Sequence, residues 1–203
     1  MERIRKLFKE TNITWIKLIV FAIITGLYTG IMALLPIAKD TSFADISISF
    51  EWWVLFGVFI ILNSKSPLDS GLKCLIFFLI SQPLVYLLQV PFYIGGWSIF
   101  GYYKYWFLWT LLTFPMGFIG YYLKRDKWWG LLILTPVLLL VGLHYANFLN
   151  SVIICFPHHL LSTAFCAATM LLYPAIIFEN KKLKLTGEAI SVVILAAETI
   201  LQL

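Results

Sequence analysis

The sequence contains little charge and no short motif that identifies a reaction. Only 12% of its 203 residues are charged, and it has three histidines and three cysteines, whereas soluble domains typically carry about 25% charged residues. The spacings HExxH, GxSxG and CxxC, which mark zinc proteases, serine hydrolases and redox or metal-binding thiols, do not occur. No metal site is therefore predicted, and no cofactor can be inferred.

The cysteines predict no disulfide framework. Cys74, Cys155 and Cys166 are odd in number and all lie inside hydrophobic runs. Buried free thiols are therefore expected at all three positions.

Hydrophobic residues, in contrast, make up 61% of the chain and give a mean hydropathy of +0.91. Several runs reach the length of about 20 apolar residues that a membrane-spanning helix needs. Prolines lie in or at most of these runs, and each one removes a backbone hydrogen bond and tends to kink a helix. The sequence therefore predicts an all-α integral membrane protein, a polytopic helical bundle of six to seven transmembrane helices, several of them proline-kinked.

The runs divide the chain into a basic segment and a membrane domain. Residues 1–13 predict a cytoplasmic basic lead-in, and residues 14–203 a single transmembrane helical domain. The first run lacks a small-residue cleavage pattern, so it predicts a span rather than a signal peptide. Residues 186–203 are marginal in length and predict either a seventh span or a surface-lying amphipathic helix. The other predicted spans cover about 16–37, 46 or 51 to 63, 72–94, 105–123, 128–148 and 152–178.

Three local features are predicted between and at the ends of these spans. Residues 46–50 alternate apolar and polar side chains, which suits a short extended segment. The tryptophan pair Trp52-Trp53 favours an interfacial position for the neighbouring Glu51. A turn at Asn150-Ser151 is expected to join the fifth and sixth spans as an antiparallel hairpin.

The basic residues predict the orientation. If the spans alternate and the N-terminus lies inside, 13 of the 15 Lys and Arg residues fall on the inner side and only Lys39 and Lys104 fall outside. This asymmetry predicts a multi-pass protein of the cell membrane with a cytoplasmic N-terminus. The lipid bilayer is then the expected partner. The net charge of +5 is accounted for by these short basic clusters, so no nucleic-acid binding is predicted.

A polar stripe in the third span is the first candidate functional feature. Gln82, Tyr86, Gln89 and Tyr93 are spaced so that they share one helical face. Two amides and two phenols are unfavourable against lipid tails, so they are expected to face protein or a wet cavity. A second stripe lies along one helical face of the sixth span and consists of Cys155, His159, Ser162, Cys166, Thr169 and Tyr173.

The polar and ionisable groups that are most costly to bury in hydrocarbon concentrate toward the predicted outer side of the membrane. His144 and Asn147 lie near the outer end of the fifth span, His159 is expected about a third of the way into the sixth span, and Glu198 lies in the last segment. We therefore predict a shared chamber open toward the outer face. Its candidate lining residues are Gln82, Tyr86, Gln89, Tyr93, His144, Asn147, His159 and Glu198.

Three functions fit these observations. The first is binding or transport of a small-molecule solute in an outward-facing polar chamber. The second is an intramembrane enzyme with a histidine site on the extracytoplasmic side, in which His159 acts as base or ligand. The third is a structural or assembly protein with a membrane protein partner, whose polar stripes only pack helices. The absence of a nucleophile–base spacing weighs against catalysis.

The layout of the chain is similar to that of the substrate-binding subunits of energy-coupling-factor transporters. The similarity consists of the size, the lack of soluble domains and the 46–50 loop before a short span. No shared motif covers the chain, and a seventh span would depart from the six-helix plan of that family. The resemblance would imply solute capture.

Overall fold

A computed structural model describes residues 2–202, and all regular secondary structure in this range is helical. The nine α-helices are α1 (Glu2–Lys9), α2 (Trp15–Leu34), α3 (Ser42–Asp45), α4 (Glu51–Leu62), α5 (Pro67–Gln89), α6 (Phe100–Gly120), α7 (Trp128–Ile154), α8 (Leu160–Ile177) and α9 (Lys181–Gln202). Three short 3₁₀ segments adjoin these helices. Pro36–Ala38 follows α2, Gly96–Ile99 precedes α6, and Tyr121–Arg125 follows α6.

Six of these helices are long and apolar enough to cross a membrane: α2, α5, α6, α7, α8 and α9. The predicted helical membrane bundle is thereby confirmed. Prolines lie inside α5, α6, α7 and α8, so four of the spans lack a backbone hydrogen bond near their middle or end. Helix α4 has 12 residues, a length of about 18 Å, and it cannot cross the hydrocarbon layer of about 30 Å alone.

Helix α1 packs across one end of the bundle. The guanidinium of Arg5 donates to the backbone carbonyls of Ala175, in the last turn of α8, and of Phe178, just beyond it, at 3.0 and 2.8 Å. The amide of Asn63 donates to the carbonyl of Phe8 at 2.6 Å. These bonds hold the amphipathic basic helix against the C-terminal ends of α4 and α8.

Connections between later helices meet at the same end. The ammonium of Lys124 donates to the carbonyl of Ser64 at 2.7 Å, which joins the α6–α7 and α4–α5 connections. The carboxylate of Asp126 accepts the backbone N–H groups of Glu179 and Asn180 at 3.1 and 2.8 Å. All segments that the alternation assigned to one side of the membrane therefore share one end of the bundle. We call it the basic end, because every segment that carries Lys or Arg lies there, except those of Lys39 and Lys104.

One exposed ion pair adds to this end. Lys9 and Glu179 lie 3.2 Å apart, and the hydrogen bond and charge of Lys9 lower the pKa of the Glu179 carboxyl. A lowered pKa stabilises the fold above the usual Glu pKa, and the contribution is lost as the pH falls through the lowered value. Glu179 is exposed, so this contribution is small.

Small residues bring α2, α5 and α6 into close contact. A Cβ atom placed on Gly26 would lie 2.6 Å from the carbonyl oxygen of Ser81, and one on Gly30 would lie 2.8 Å from Leu88. On α6, a Cβ at Gly117 would lie 2.9 Å from the Cys74 sulfur. The glycine ridge of the first span therefore packs against helices of the same chain, as expected for small residues in membrane bundles.

The last segment, predicted as either a span or a surface-lying helix, forms α9 and packs within the bundle. A Cβ on Gly187 would lie 2.8 Å from Pro174 of α8, and the hydroxyl of Ser191 donates to the carbonyl of Met170 at 2.8 Å. Near the far end, the hydroxyls of Tyr145 and Thr199 are 3.0 Å apart. These contacts run along most of α9, so the alternative of a surface-lying helix is not supported.

The predicted turn at Asn150-Ser151 is wrong. Helix α7 continues through both residues to Ile154, and α8 begins only at Leu160. Single Asn and Ser residues do not stop a helix whose backbone bonds can continue, whereas Pro157 cannot donate one. As a result Cys155 lies in the connection and is exposed, while Cys74 and Cys166 are buried as expected.

The prediction of an extended segment before α4 is also wrong. Residues 46–50 form a turn after the helical turn α3, because the hydroxyls of Ser47 and Ser49 bond back to the carbonyls of Ala44 and Asp45. Glu51 is fully buried within the protein at the start of α4, and its position at the membrane interface stays a prediction. The segment therefore folds into the bundle, where α3 packs against α8.

Candidate functional site

A buried carboxylate, Asp45, lies at the centre of the most polar region of the bundle. It is 1% exposed, at the end of α3. The Nδ1 atom of His159 lies 2.8 and 2.9 Å from its two carboxylate oxygens, and the hydroxyl of Ser162 donates to Oδ2 at 2.5 Å. An ionised carboxylate only accepts hydrogen bonds, so this arrangement sets Nδ1 of the imidazole as a donor. Desolvation of the charge is offset by these bonds.

The chain before α8 holds His159 in place. His159 has a positive φ of 60° and serves as the residue before the first turn of α8. Its ring stacks on Phe148 of α7, with centroids 5.7 Å apart. The adjacent His158 donates from Nδ1 to the carbonyl of Asp40 at 2.5 Å. The two histidines therefore tie the α7–α8 connection to the segment between α2 and α4.

A second buried carboxyl, Glu51, lies beside the first. The hydroxyl oxygen of Ser49 is 2.5 Å from the Asp45 carbonyl oxygen and 2.7 Å from Oε1 of Glu51. A hydroxyl has one hydrogen, and a carbonyl or carboxylate oxygen offers none. Both contacts are hydrogen bonds only when Glu51 carries a proton and donates to Ser49. Oε2 of Glu51 is buried and has no hydrogen-bond partner among the described residues.

A cavity of about 490 Å³ adjoins this cluster. It lies between α2, α3, α4 and α8, and Ser162 belongs to both its lining and the Asp45 cluster. The backbone N–H of Ser162 donates to the hydroxyl of Ser42, which also lines the cavity. We call it the α2–α8 pocket. It is lined by Ile24, Thr25, Tyr28, Ser42, Phe43, Ile46, Trp52, Phe56, Leu161, Ser162 and Phe165.

A second cavity, of about 440 Å³, lies at the basic end between the starts of α7 and α9. Lys127, Trp128, Trp129 and Lys182 are among its lining residues, and both tryptophans are largely exposed. Tryptophan and lysine together are typical of the level of lipid headgroups. The α2–α8 pocket is the stronger candidate site, because it alone adjoins buried carboxyl groups.

The geometry argues against a serine hydrolase. In a catalytic triad the serine hydroxyl bonds to the imidazole that removes its proton. Here the hydroxyl of Ser162 donates to Asp45, the same carboxylate that holds His159. The cluster therefore orients an imidazole and a carboxylate next to a pocket but activates no serine.

Two of the predicted site residues come together near the pocket. His144 lies beside Phe50 and Phe148, with ring centroids 5.7 and 6.2 Å apart, and Phe148 stacks on His159. Two others differ from them in surroundings: Asn147 is exposed on α7, and Glu198 is half-buried on α9.

The stripe of the third span lies on α5 and just beyond it. Gln82 is buried, and the amide of Gln89 donates to the carbonyl of Val85 in its own helix at 2.9 Å. Tyr86 packs near aromatic rings of α6, and Tyr93 lies beyond the end of α5 and is exposed. None of the eight predicted residues is among those that line the α2–α8 pocket, and a chamber shared by all eight stays a prediction.

Sequence reasoning missed the two carboxyl groups of the cluster. The sequence patterns indicate no role for Asp45 and predict Glu51 only as an interfacial residue. The available signal is the rarity of acidic residues: only ten occur in the chain, and two of them flank the short 46–50 segment before α4. Ser162 was placed correctly on the polar face of α8, although its partner was not foreseen.

Comparisons with known proteins add no further constraint. No family model, no curated protein and no solved structure matches this chain.

Proposed function

We propose that this protein binds, and moves across the membrane, a small solute that occupies the α2–α8 pocket. The observation that carries the proposal is the buried Asp45–His159–Ser162 cluster at the wall of a cavity of about 490 Å³. Small-molecule sites are typically cavities of about 300–1,000 Å³ with apolar walls and a few well-placed polar groups. Ionisable groups within a membrane bundle commonly mark solute or ion pathways.

The proposal includes the setting of the site. The basic end is assigned to the cytoplasm and the cell membrane is assigned as the location, since 13 of 15 basic side chains belong to that end. Residues 14–203 then form the transmembrane domain, with residues 1–13 as its cytoplasmic lead-in. The α2–α8 pocket lies toward the opposite end, because α3 and the start of α8 contribute to it.

A ligand-stabilisation screen tests the proposal. Purified full-length protein in detergent is heated with a panel of amines, organic acids, sugars and nucleosides, and binding raises the apparent melting temperature by mass action. Phe165→Ala and Trp52→Ala open the pocket wall and should abolish the shift. Trp129→Ala, in the cavity at the basic end, serves as the control and should retain it. If no solute class stabilises the protein, or if the pocket variants respond like the wild type, solute binding in this pocket is refuted.

The second candidate is an intramembrane enzyme, and the Asp45–His159 pair favours it specifically. A carboxylate that fixes one ring nitrogen leaves the other nitrogen oriented for proton transfer. His159→Ala would then abolish turnover of a substrate that still binds. Under solute binding alone, the same variant would weaken the affinity and reveal no lost reaction. A purely structural protein would show loss of stability and nothing else.

A further inference from the structure

The walls of the α2–α8 pocket are unusually aromatic. Trp52 and Phe165 stack face to face with centroids 3.9 Å apart, and Trp52 also lies 6.3 Å from Phe56. Five of the eleven lining residues are aromatic: Tyr28, Phe43, Trp52, Phe56 and Phe165. Aromatic faces carry partial negative charge and attract cations, most strongly where water is excluded.

The lining contains no basic side chain, and negative charge lies directly behind it. The hydroxyl of Ser162 lines the pocket and donates to Asp45 at 2.5 Å, so one side chain separates the carboxylate from the cavity. Glu51 is a second buried carboxyl beside it, and in the protonated form that its contact with Ser49 indicates it adds no positive charge. His159 is the one basic group that contacts either carboxyl among the described residues. The field at the pocket therefore favours positive charge.

The polar groups of the pocket are too few for a heavily hydroxylated solute. Only Thr25, Tyr28, Ser42 and Ser162 carry hydroxyls there, and Ser42 and Ser162 already bond to protein groups. A sugar would leave many hydroxyls unpaired on burial, at a cost for each one. An anion would meet the negative faces of aromatic rings and the like charge of the Asp45 carboxylate.

We propose that the solute is a small organic cation with an apolar body, an aromatic or aliphatic amine. This inference rests on the proposed function and specifies its substrate class. The apolar body packs against the stacked pair of Trp52 and Phe165 and against the aliphatic lining residues. The ammonium faces the aromatic rings and Ser162, within reach of the charge on Asp45. No bond is made or broken.

Three probes with one ring and one polar end test the charge preference. Isothermal titration of the purified full-length protein measures the affinity for 2-phenylethylammonium, for neutral 2-phenylethanol and for anionic 3-phenylpropanoate. We expect the cation to bind at least tenfold more tightly than the alcohol, a difference of about 1.4 kcal/mol, and the anion to bind more weakly than either.

The variants assign this preference to the pocket. Asp45→Asn and Trp52→Leu should each reduce the ratio between cation and alcohol at least threefold, whereas Trp129→Leu should leave it unchanged. Trp52→Leu keeps the test available if Asp45→Asn fails to fold, because it retains an apolar side chain in a partly exposed position.

The outcomes separate the two proposals. Equal affinity for the alcohol and the cation, with both lost in Trp52→Leu, would overturn the cation inference and leave solute binding intact. A cation preference unchanged in both pocket variants would place it elsewhere and overturn the inference. If none of the three probes binds while another solute class stabilises the protein in the screen, only the inference fails. If no solute of any class binds, the proposed function fails as well.

Discussion

At the residue scale, the two buried carboxyls have different chemistry despite their proximity. Asp45 accepts donors from His159 and Ser162, whereas Glu51 meets a hydroxyl whose hydrogen is also claimed by a carbonyl oxygen. Asp45 is therefore suited to carry charge, and Glu51 is suited to carry a proton. Neighbouring acidic groups are commonly divided in this way, because two adjacent charges in a low-dielectric environment repel each other.

Paired substitutions test this assignment. Glu51→Gln should change the free energy of unfolding by less than about 0.5 kcal/mol, because a neutral amide can donate to Ser49 as the protonated carboxyl does. Asp45→Asn should cost about 1.5–3 kcal/mol, the usual range for lost hydrogen bonds to a charged group. Reversible unfolding in mixed micelles measures both. A loss in Glu51→Gln as large as that in Asp45→Asn would mean that Glu51 is ionised.

At the element scale, the bundle depends on close helix contacts through glycine. Gly26 of α2 faces backbone atoms of α5, which cannot move as the end of a long side chain can. Among residues 2–202, no atom outside the adjoining part of its own helix lies within 4 Å of the place where a Cβ on Gly57 of α4 would lie. The same residue type thus has a packing role in one helix and none in the other.

Two alanine variants measure that difference. Gly26→Ala should destabilise the protein by about 1–3 kcal/mol, the usual cost of overpacking, because its Cβ would lie 2.6 Å from the Ser81 carbonyl oxygen. Gly57→Ala should be neutral or stabilise by up to about 1 kcal/mol, since alanine favours the helix. Unfolding in mixed micelles again provides the measurement. Equal effects of the two variants would contradict the packing of α2 on α5.

At the scale of the whole molecule, the charges and connections define two ends. The α1 helix and the connections that carry most basic side chains bond to one another at the basic end. The opposite end holds the α7–α8 connection, with the exposed Cys155. The other two cysteines are buried in α5 and α8. One native thiol thus reports on the side of the membrane that the opposite end faces.

Thiol labelling of intact cells tests the orientation. A membrane-impermeant maleimide added outside should modify the wild type once and should not modify Cys155→Ser. Permeabilised cells provide the control for labelling capacity. If Cys155 is modified only after permeabilisation, the basic end faces outward and the assigned orientation is wrong.

The sequence by itself determined the helical membrane class and the grouping of connections into two sides. Both follow from local properties, since about 20 apolar residues make a span and clustered Lys and Arg mark its flanks. It also predicted the polar face of α8 around Ser162, because helical spacing is periodic. It could not choose between a turn at Asn150-Ser151 and one near Pro157, since the first pair is compatible with both turn and helix.

The tertiary structure alone decided the candidate site. Asp45 and His159 are 114 residues apart and meet because a short turn, a 12-residue helix and the start of α8 fold together. From the sequence alone, an aspartate in a connection between spans could simply face water. Burial against α8 gives the carboxylate a desolvation cost that pairing must offset. Likewise, in the sequence Trp52 and Phe165 are aromatic residues in apolar runs, which are as compatible with contact to lipid as with a pocket wall. They become walls of a pocket only through the packing of α4 against α8 beside α2.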